Sequence, residues 1–97
     1  MRKTKLVASL FTGPARQVAR DTRIFRAGEP ANSLFFLASG LVKLTDISTS
    51  GDEIVVELHR SGEIFGELCF RGGVQEFSAT AIERAEIREI RADLLVR

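Results

Sequence analysis

The chain has no tryptophan or tyrosine, and it has one cysteine, one histidine, one methionine and two prolines. A single thiol, Cys69, excludes an internal disulfide framework and a zinc site built from thiolates. It suits a reducing compartment, and we expect a cytoplasmic protein. A single histidine, His59, speaks against a cupin-type metal enzyme, which needs a His-rich cluster with a carboxylate. It also speaks against a Ser–His–acid triad, because no orienting partner for His59 is evident in the sequence. We therefore expect neither a metal nor catalysis. An excess of one charge is missing too. The formal net charge is +1, so charge alone gives no reason to expect nucleic acid or acidic lipid as a partner. Long apolar runs are absent. The longest, residues 34–44, is interrupted by Ser39, Gly40 and Lys43, short of the roughly 20 residues of a membrane-spanning helix. The first eleven residues faintly resemble an export signal. Their apolar part, Leu6 to Phe11, falls below the about 7–15 residues of a working signal core. We expect no export and no membrane partner.

What is present is enough for one domain. The 97 residues are 44% apolar and 28% charged, which supports a single core without staples. Charge is unevenly placed: residues 1–26 hold seven Arg or Lys and one acid, Asp21. We read 1–19 as a basic N-terminal helical segment, with a short helix over 4–10, stopped by Gly13-Pro14, and a further helical turn over 15–19. Such an arm reads as a solvated face able to meet phosphate or an acidic partner.

From residue 20 to 97 the pattern changes. Glycines at 28, 40, 51, 62, 66, 72 and 73 separate short runs rich in Phe, Ile, Val, Leu and Thr. That punctuation predicts an all-β sandwich or barrel. Strands are expected over 23–26, 33–39, 41–47, 53–58, 78–82 and 86–90. Ser48-Thr49-Ser50-Gly51-Asp52 reads as a hairpin loop, and Gly40 as a tight turn or bulge. Alternation places Val42 and Leu44 on one face of their strand. It places Ile54, Val56 and Leu58 together on the next, with Glu57 and His59 pointing away. His59 is thus expected at the surface. Ile87, Ile90, Leu94 and Leu95 have helical spacing, and pattern alone would make 85–96 a helix. The chain stops within the apolar segment Leu94-Leu95-Val96-Arg97, which reads as a truncation or a piece of a longer chain.

The densest signal is Ser61-Gly62-Glu63-Ile64-Phe65-Gly66-Glu67-Leu68-Cys69-Phe70, followed by Phe77-Ser78-Ala79-Thr80. Gly66 permits close backbone approach. Glu67 starts what looks like a short helical turn, whose free N–H groups can hold an anion while the carboxylate accepts from hydroxyls. Ser78 can add a hydroxyl. Together these describe a pocket for a small sugar phosphate. The bland alternatives are a carboxylate at a helix start for Glu67 and a packed apolar residue for Cys69.

The chain resembles the cyclic-nucleotide-binding domain of bacterial transcription regulators of the catabolite-activator and fumarate/nitrate-regulator (CRP/FNR) type. The resemblance runs through Ile24-Phe25-Arg26-Ala27-Gly28-Glu29-Pro30, through residues 34–44, through Gly62-Glu63-Ile64-Phe65-Gly66-Glu67-Leu68 and through Ser78-Ala79-Thr80-Ala81. It implies a jelly-roll β-roll, a double-stranded β-helix with short flanking helices. It also favours a strand through Ile90 with a helix from Ala92. It implies cyclic AMP or cyclic GMP as ligand. Glu67 would hold the ribose hydroxyl, and Gly66, the amides of Leu68 and Cys69, and Ser78 would face the phosphate. One departure stands out. The family's binders carry an arginine where this chain has Phe77. Losing a charge-assisted hydrogen bond costs about 1.5–3 kcal/mol, a tenfold to hundredfold loss in affinity. Arg71 and Arg84 are candidate substitutes. A retuned or silent pocket is therefore expected to compete with cyclic-nucleotide binding. The resemblance further implies a small-molecule effector, a homodimer for the whole regulator, and DNA contact only through a domain missing from this chain. These 97 residues alone would form a monomer or a weak dimer. Iron–sulfur relatives need several cysteines and haem-sensing relatives need axial ligands, so neither subtype is expected. The remaining alternative is a ligand-free β-roll that serves protein interaction.

Overall fold

The structure is a computed structural model that describes residues 15–95. Eight strands run in chain order: β1 (Arg16–Val18), β2 (Arg23–Phe25), β3 (Ser33–Ser39), β4 (Leu41–Ile47), β5 (Glu53–Arg60), β6 (Ile64–Phe65), β7 (Ser78–Ala81) and β8 (Ala85–Arg91). A 3-10 helix, Glu67–Arg71, lies between β6 and β7, and α1 (Ala92–Leu95) follows β8. The strands form two four-stranded antiparallel sheets, ordered β1-β8-β3-β6 and β2-β7-β4-β5. Their inner faces close on Phe25, Phe35, Leu37, Val42, Phe65, Ala79, Ala81 and Ile87. Small residues on β7 let the sheets approach, and the Phe rings fill the space between them. A second cluster, Leu34, Phe36 and Cys69, packs on the outer side of β3.

The two long central strands, β3 and β4, fall where the sequence places them, and the chain switches from strand to helix at Ala92. The helical spacing of Ile87 and Ile90 is overridden because β8 pairs with β3 from Leu34↔Ile90 to Leu37↔Ile87, burying Ile87 completely. The register of that pair shifts between Leu37 and Ser39, just before Gly40.

Three readings are corrected. The helical turn expected over 15–19 is instead β1, which satisfies the free edge of β8 through Arg16↔Ile87, Gln17↔Glu86 and Val18↔Ala85 and buries Val18. The helix expected over 4–10 lies outside the described residues. His59 is not at the surface: it is 7% exposed, opposite Val42, with its ring stacked 5.5 Å from Phe65. The faces of β5 are therefore the reverse of those expected. His59 turns inward and Glu57 lines the cleft while remaining exposed, and Ile54, Val55, Val56 and Leu58 are 40–51% exposed. The cause is twofold. His59 Nδ1 lies 3.0 Å from Glu63 Oε1, which satisfies the buried ring. A bulge also interrupts the β4–β5 ladder, where Leu44 pairs with Glu57 and Thr45 with Val55, so Val56 has no Cα partner.

Candidate ligand cleft

The cleft begins where β6 ends. Gly66 adopts φ 88°, and a Cβ there would stand 2.9 Å from Phe35 Cδ1 and 3.1 Å from the Ser33 carbonyl oxygen. Only glycine fits both demands without strain. The reversal at Gly66 starts the 3-10 helix, whose Cys69 N–H donates to the Gly66 carbonyl at 3.2 Å. This presents Glu67 and Arg71 along one wall of a cleft of about 230 Å³. Phe25 from β2, Leu44 from β4 and Glu57 from β5 form the floor, and Gln75, Glu76 and Phe77, leading into β7, form the other wall.

The structure thus brings together Gly66, Glu67, Arg71 and Phe77 of the residues picked from the sequence. Ser78 is elsewhere. Its hydroxyl accepts the Ala27 N–H at 3.0 Å, and it lines a separate cleft with Arg23, Thr45 and Asp46. Cys69 is 6% exposed and packs with Leu34 and Phe36. Burial pushes its thiol pKa up, and the Glu67 carboxylate adds to the effect. Leu68 contributes backbone to the 3-10 helix. Arg84 is exposed, with its Nε 3.4 Å from Gln17 Oε1, and does not line the cleft.

Sequence reasoning missed Phe25, Leu44, Glu57, Gln75 and Glu76 as lining residues. Glu57 was hidden by the reversed faces of β5. Gln75 and Glu76 carried one available signal, their place directly before Phe77. Glu57 is tied to the buried imidazole, with its Oε1 3.6 Å from His59 Nε2. Gln75 is 5% exposed and is pinned by its backbone, whose N–H donates to the Glu29 carbonyl and whose carbonyl accepts the Gly28 N–H, both at 2.8 Å. The lining therefore carries three carboxylates and one guanidinium, with an aromatic ring at Phe77. Among the described residues, no three His, Cys, Asp or Glu side chains converge as a metal site.

The model of the cyclic nucleotide-binding domain family matches residues 15–97. The global nitrogen regulator of Nostoc sp. is 41% identical over 69 residues, covering 71% of this chain and 31% of that protein. Electron transport regulator A of Shewanella oneidensis is 29% identical over 80 residues, covering 82% of this chain and 32% of that protein. The chain thus spans about a third of the length of these relatives. Among solved structures, the Thermus thermophilus catabolite activator protein matches with TM-score 0.80 and 29% identity, over 95% of this chain and 43% of that one. The N-terminal domain of a Streptomyces coelicolor transcriptional regulator matches with TM-score 0.83 and 26% identity, over 94% of this chain and 65% of that one.

Proposed function

The chain belongs to the cyclic nucleotide-binding domain family, and from that membership we propose that it is the effector-sensing domain of a CRP/FNR-type transcription regulator with a retuned pocket. The observation that carries this reading is the cleft itself. It lies at the Gly66–Glu67 turn, and Phe77 lines it in place of the guanidinium that would pair with a cyclic phosphate. The domain does no chemistry. An effector in the cleft acts by favouring one arrangement of the roll over another, which requires unequal affinity for the two. DNA contact and dimerisation then fall to parts of the regulator outside these residues.

The test is thermal unfolding with millimolar cyclic AMP or cyclic GMP, on the natural chain and on Phe77→Arg. The natural chain should not shift. The variant should gain binding, since a ligand at 100 times its Kd adds about 2.7 kcal/mol, several degrees for a domain of this size. A shift in the natural chain would show a working cyclic-nucleotide pocket and end the retuned reading. No shift in either protein would remove the cleft as an effector site. A second reading, a ligand-free protein-interaction module, would then take over, favoured by the exposed apolar face of β5.

A further inference from the structure

We propose that the free edge of β5 pairs with β5 of a second copy of this chain. The two strands run antiparallel about a two-fold axis, so that the β2-β7-β4-β5 sheets of the two copies become one continuous sheet. β5 ends its sheet, with β4 as its one neighbour among the described residues. An edge strand carries a row of backbone N–H and C=O groups without ladder partners, which another strand can satisfy. Along the strand His59 alone is buried. Val55 is 51% exposed and Leu58 40%, so apolar side chains stand beside this bare edge. The contact is additional to the dimerisation that the regulator reading places outside these residues, and it does not depend on that reading.

The partner follows from charge complementarity along the strand. Val42 on β4 is completely buried, so Leu41, Lys43, Thr45 and Ile47 share the opposite, outer face of the sheet. Their ladder partners on β5 are Arg60, Leu58, Val55 and Glu53. Directly opposed residues lie on one face, and the Lys43–Glu53 ion pair at 3.3 Å agrees with that placement. The bulge at Val56 lets Val55 and Leu58, three positions apart, point the same way. The outer face of β5 thus runs Glu53, Val55, Leu58, Arg60: an acid at one end, a base at the other, and two apolar residues between. Turned through 180° and laid beside itself, it is self-complementary. Glu53 meets Arg60 of the second copy, Val55 meets Leu58 of the second copy, and the two-fold axis makes each pairing twice. On the inner face Ile54 comes opposite His59, and Val56 comes opposite Glu57, so no like charges oppose each other. A slip of one residue in either direction sets outer positions against inner ones. Arg60 is free for this role, having no ion-pair partner within 4.0 Å among the described residues.

The experiment is sedimentation equilibrium of the chain from about 10 μM to 1 mM, the range of weak, small interfaces. The natural chain should pass from monomer to dimer across it. Glu53→Arg sets an arginine against Arg60 of the second copy, and Arg60→Glu sets a glutamate against Glu53. Each variant alone should dimerise about tenfold more weakly or worse, because like charges are then juxtaposed. Mixed in equal amounts, the two variants regain both opposite-charge pairs, and the mixed dimer should return close to the natural affinity. Circular dichroism of each variant establishes that it is folded. Val55→Lys, on the exposed edge, keeps the test alive if a charge variant is not, and it too should weaken the dimer. A natural chain that stays monomeric throughout overturns the proposal. So does a dimer that none of the folded variants weakens, since the contact then lies elsewhere. So does a mixture of the two charge variants that fails to associate, since the strands then do not meet in this antiparallel register. None of these outcomes touches the cleft, which the response of Phe77→Arg to cyclic nucleotides decides separately.

Discussion

At the scale of single residues, Gly66 is the cleft position with little room to vary. Gly66→Ala adds a methyl group 2.9 Å from the Phe35 ring at φ 88°. Backbone strain and overpacking together should cost about 2–4 kcal/mol. Gly51→Ala is the control, with similar φ but nothing within 4 Å of the added carbon, and should cost about 1 kcal/mol. Urea midpoints of the two variants measure the difference, and equal losses would mean that the Phe35 contact is not tight. Cys69 gives a second residue-scale expectation. Burial holds its thiol above the usual range, so the unfolded chain loses this proton first. The folded state then binds more protons at alkaline pH, and stability falls as pH rises through the ordinary thiol range. Glu67→Gln removes the added carboxylate effect, so it should lower the thiol pKa and speed alkylation by iodoacetamide at pH 8. An unchanged rate would separate Glu67 from Cys69.

At the scale of elements, β3 and β4 were legible because β3 carries two aromatic residues and β4 three β-branched ones, with a glycine or polar loop at their ends. β1 and β6 were not, since strands of three and two residues carry no readable period. β5 shows a subtler failure. Its apolar residues alternate correctly, yet the one buried residue of the strand is His59, because its ring is satisfied by Glu63 and stacked on Phe65. The cleft lining was legible at Gly66 and Glu67, where motif and resemblance agree, and at Phe77, where the chain departs from the family pattern. It was not at Gln75 and Glu76, whose place follows from the chain's path between the 3-10 helix and β7. The reversal predicts a contrast within one hairpin. Val42→Ala, at a position with no exposure, should cost about 2–3 kcal/mol, whereas Val55→Thr, 51% exposed, should stay within about 0.5 kcal/mol. Comparable losses in denaturant titrations would restore the apolar face of β5 to the core.

At the scale of the whole molecule, one ring of the shared core has ring partners in both sheets. Phe65 on β6 stacks on Phe35 at 5.2 Å, faces Phe25 at 6.1 Å and stacks on His59 at 5.5 Å, and so joins both sheets. Phe65→Ala should cost about 3–5 kcal/mol, enough to unfold a marginal domain. If the variant keeps the natural chain's melting temperature, the sheets are held together elsewhere. The cleft is built across the same junction. Its floor belongs to β2, β4 and β5 in one sheet, and Gly66 directly follows β6 of the other. An occupant therefore touches both halves of the roll, as an effector must if it is to bias their relative arrangement.

His59 is the chain's only histidine, and it sits between the cleft carboxylate Glu57 and the turn carboxylate Glu63. In proton magnetic resonance this gives a single set of imidazole signals, unobscured by any other histidine and by any tyrosine or tryptophan. Neutralising Glu57 from the cleft side changes the field at that ring directly. The molecule thus carries its own spectroscopic reporter of occupancy, readable without isotope, dye or engineered tag.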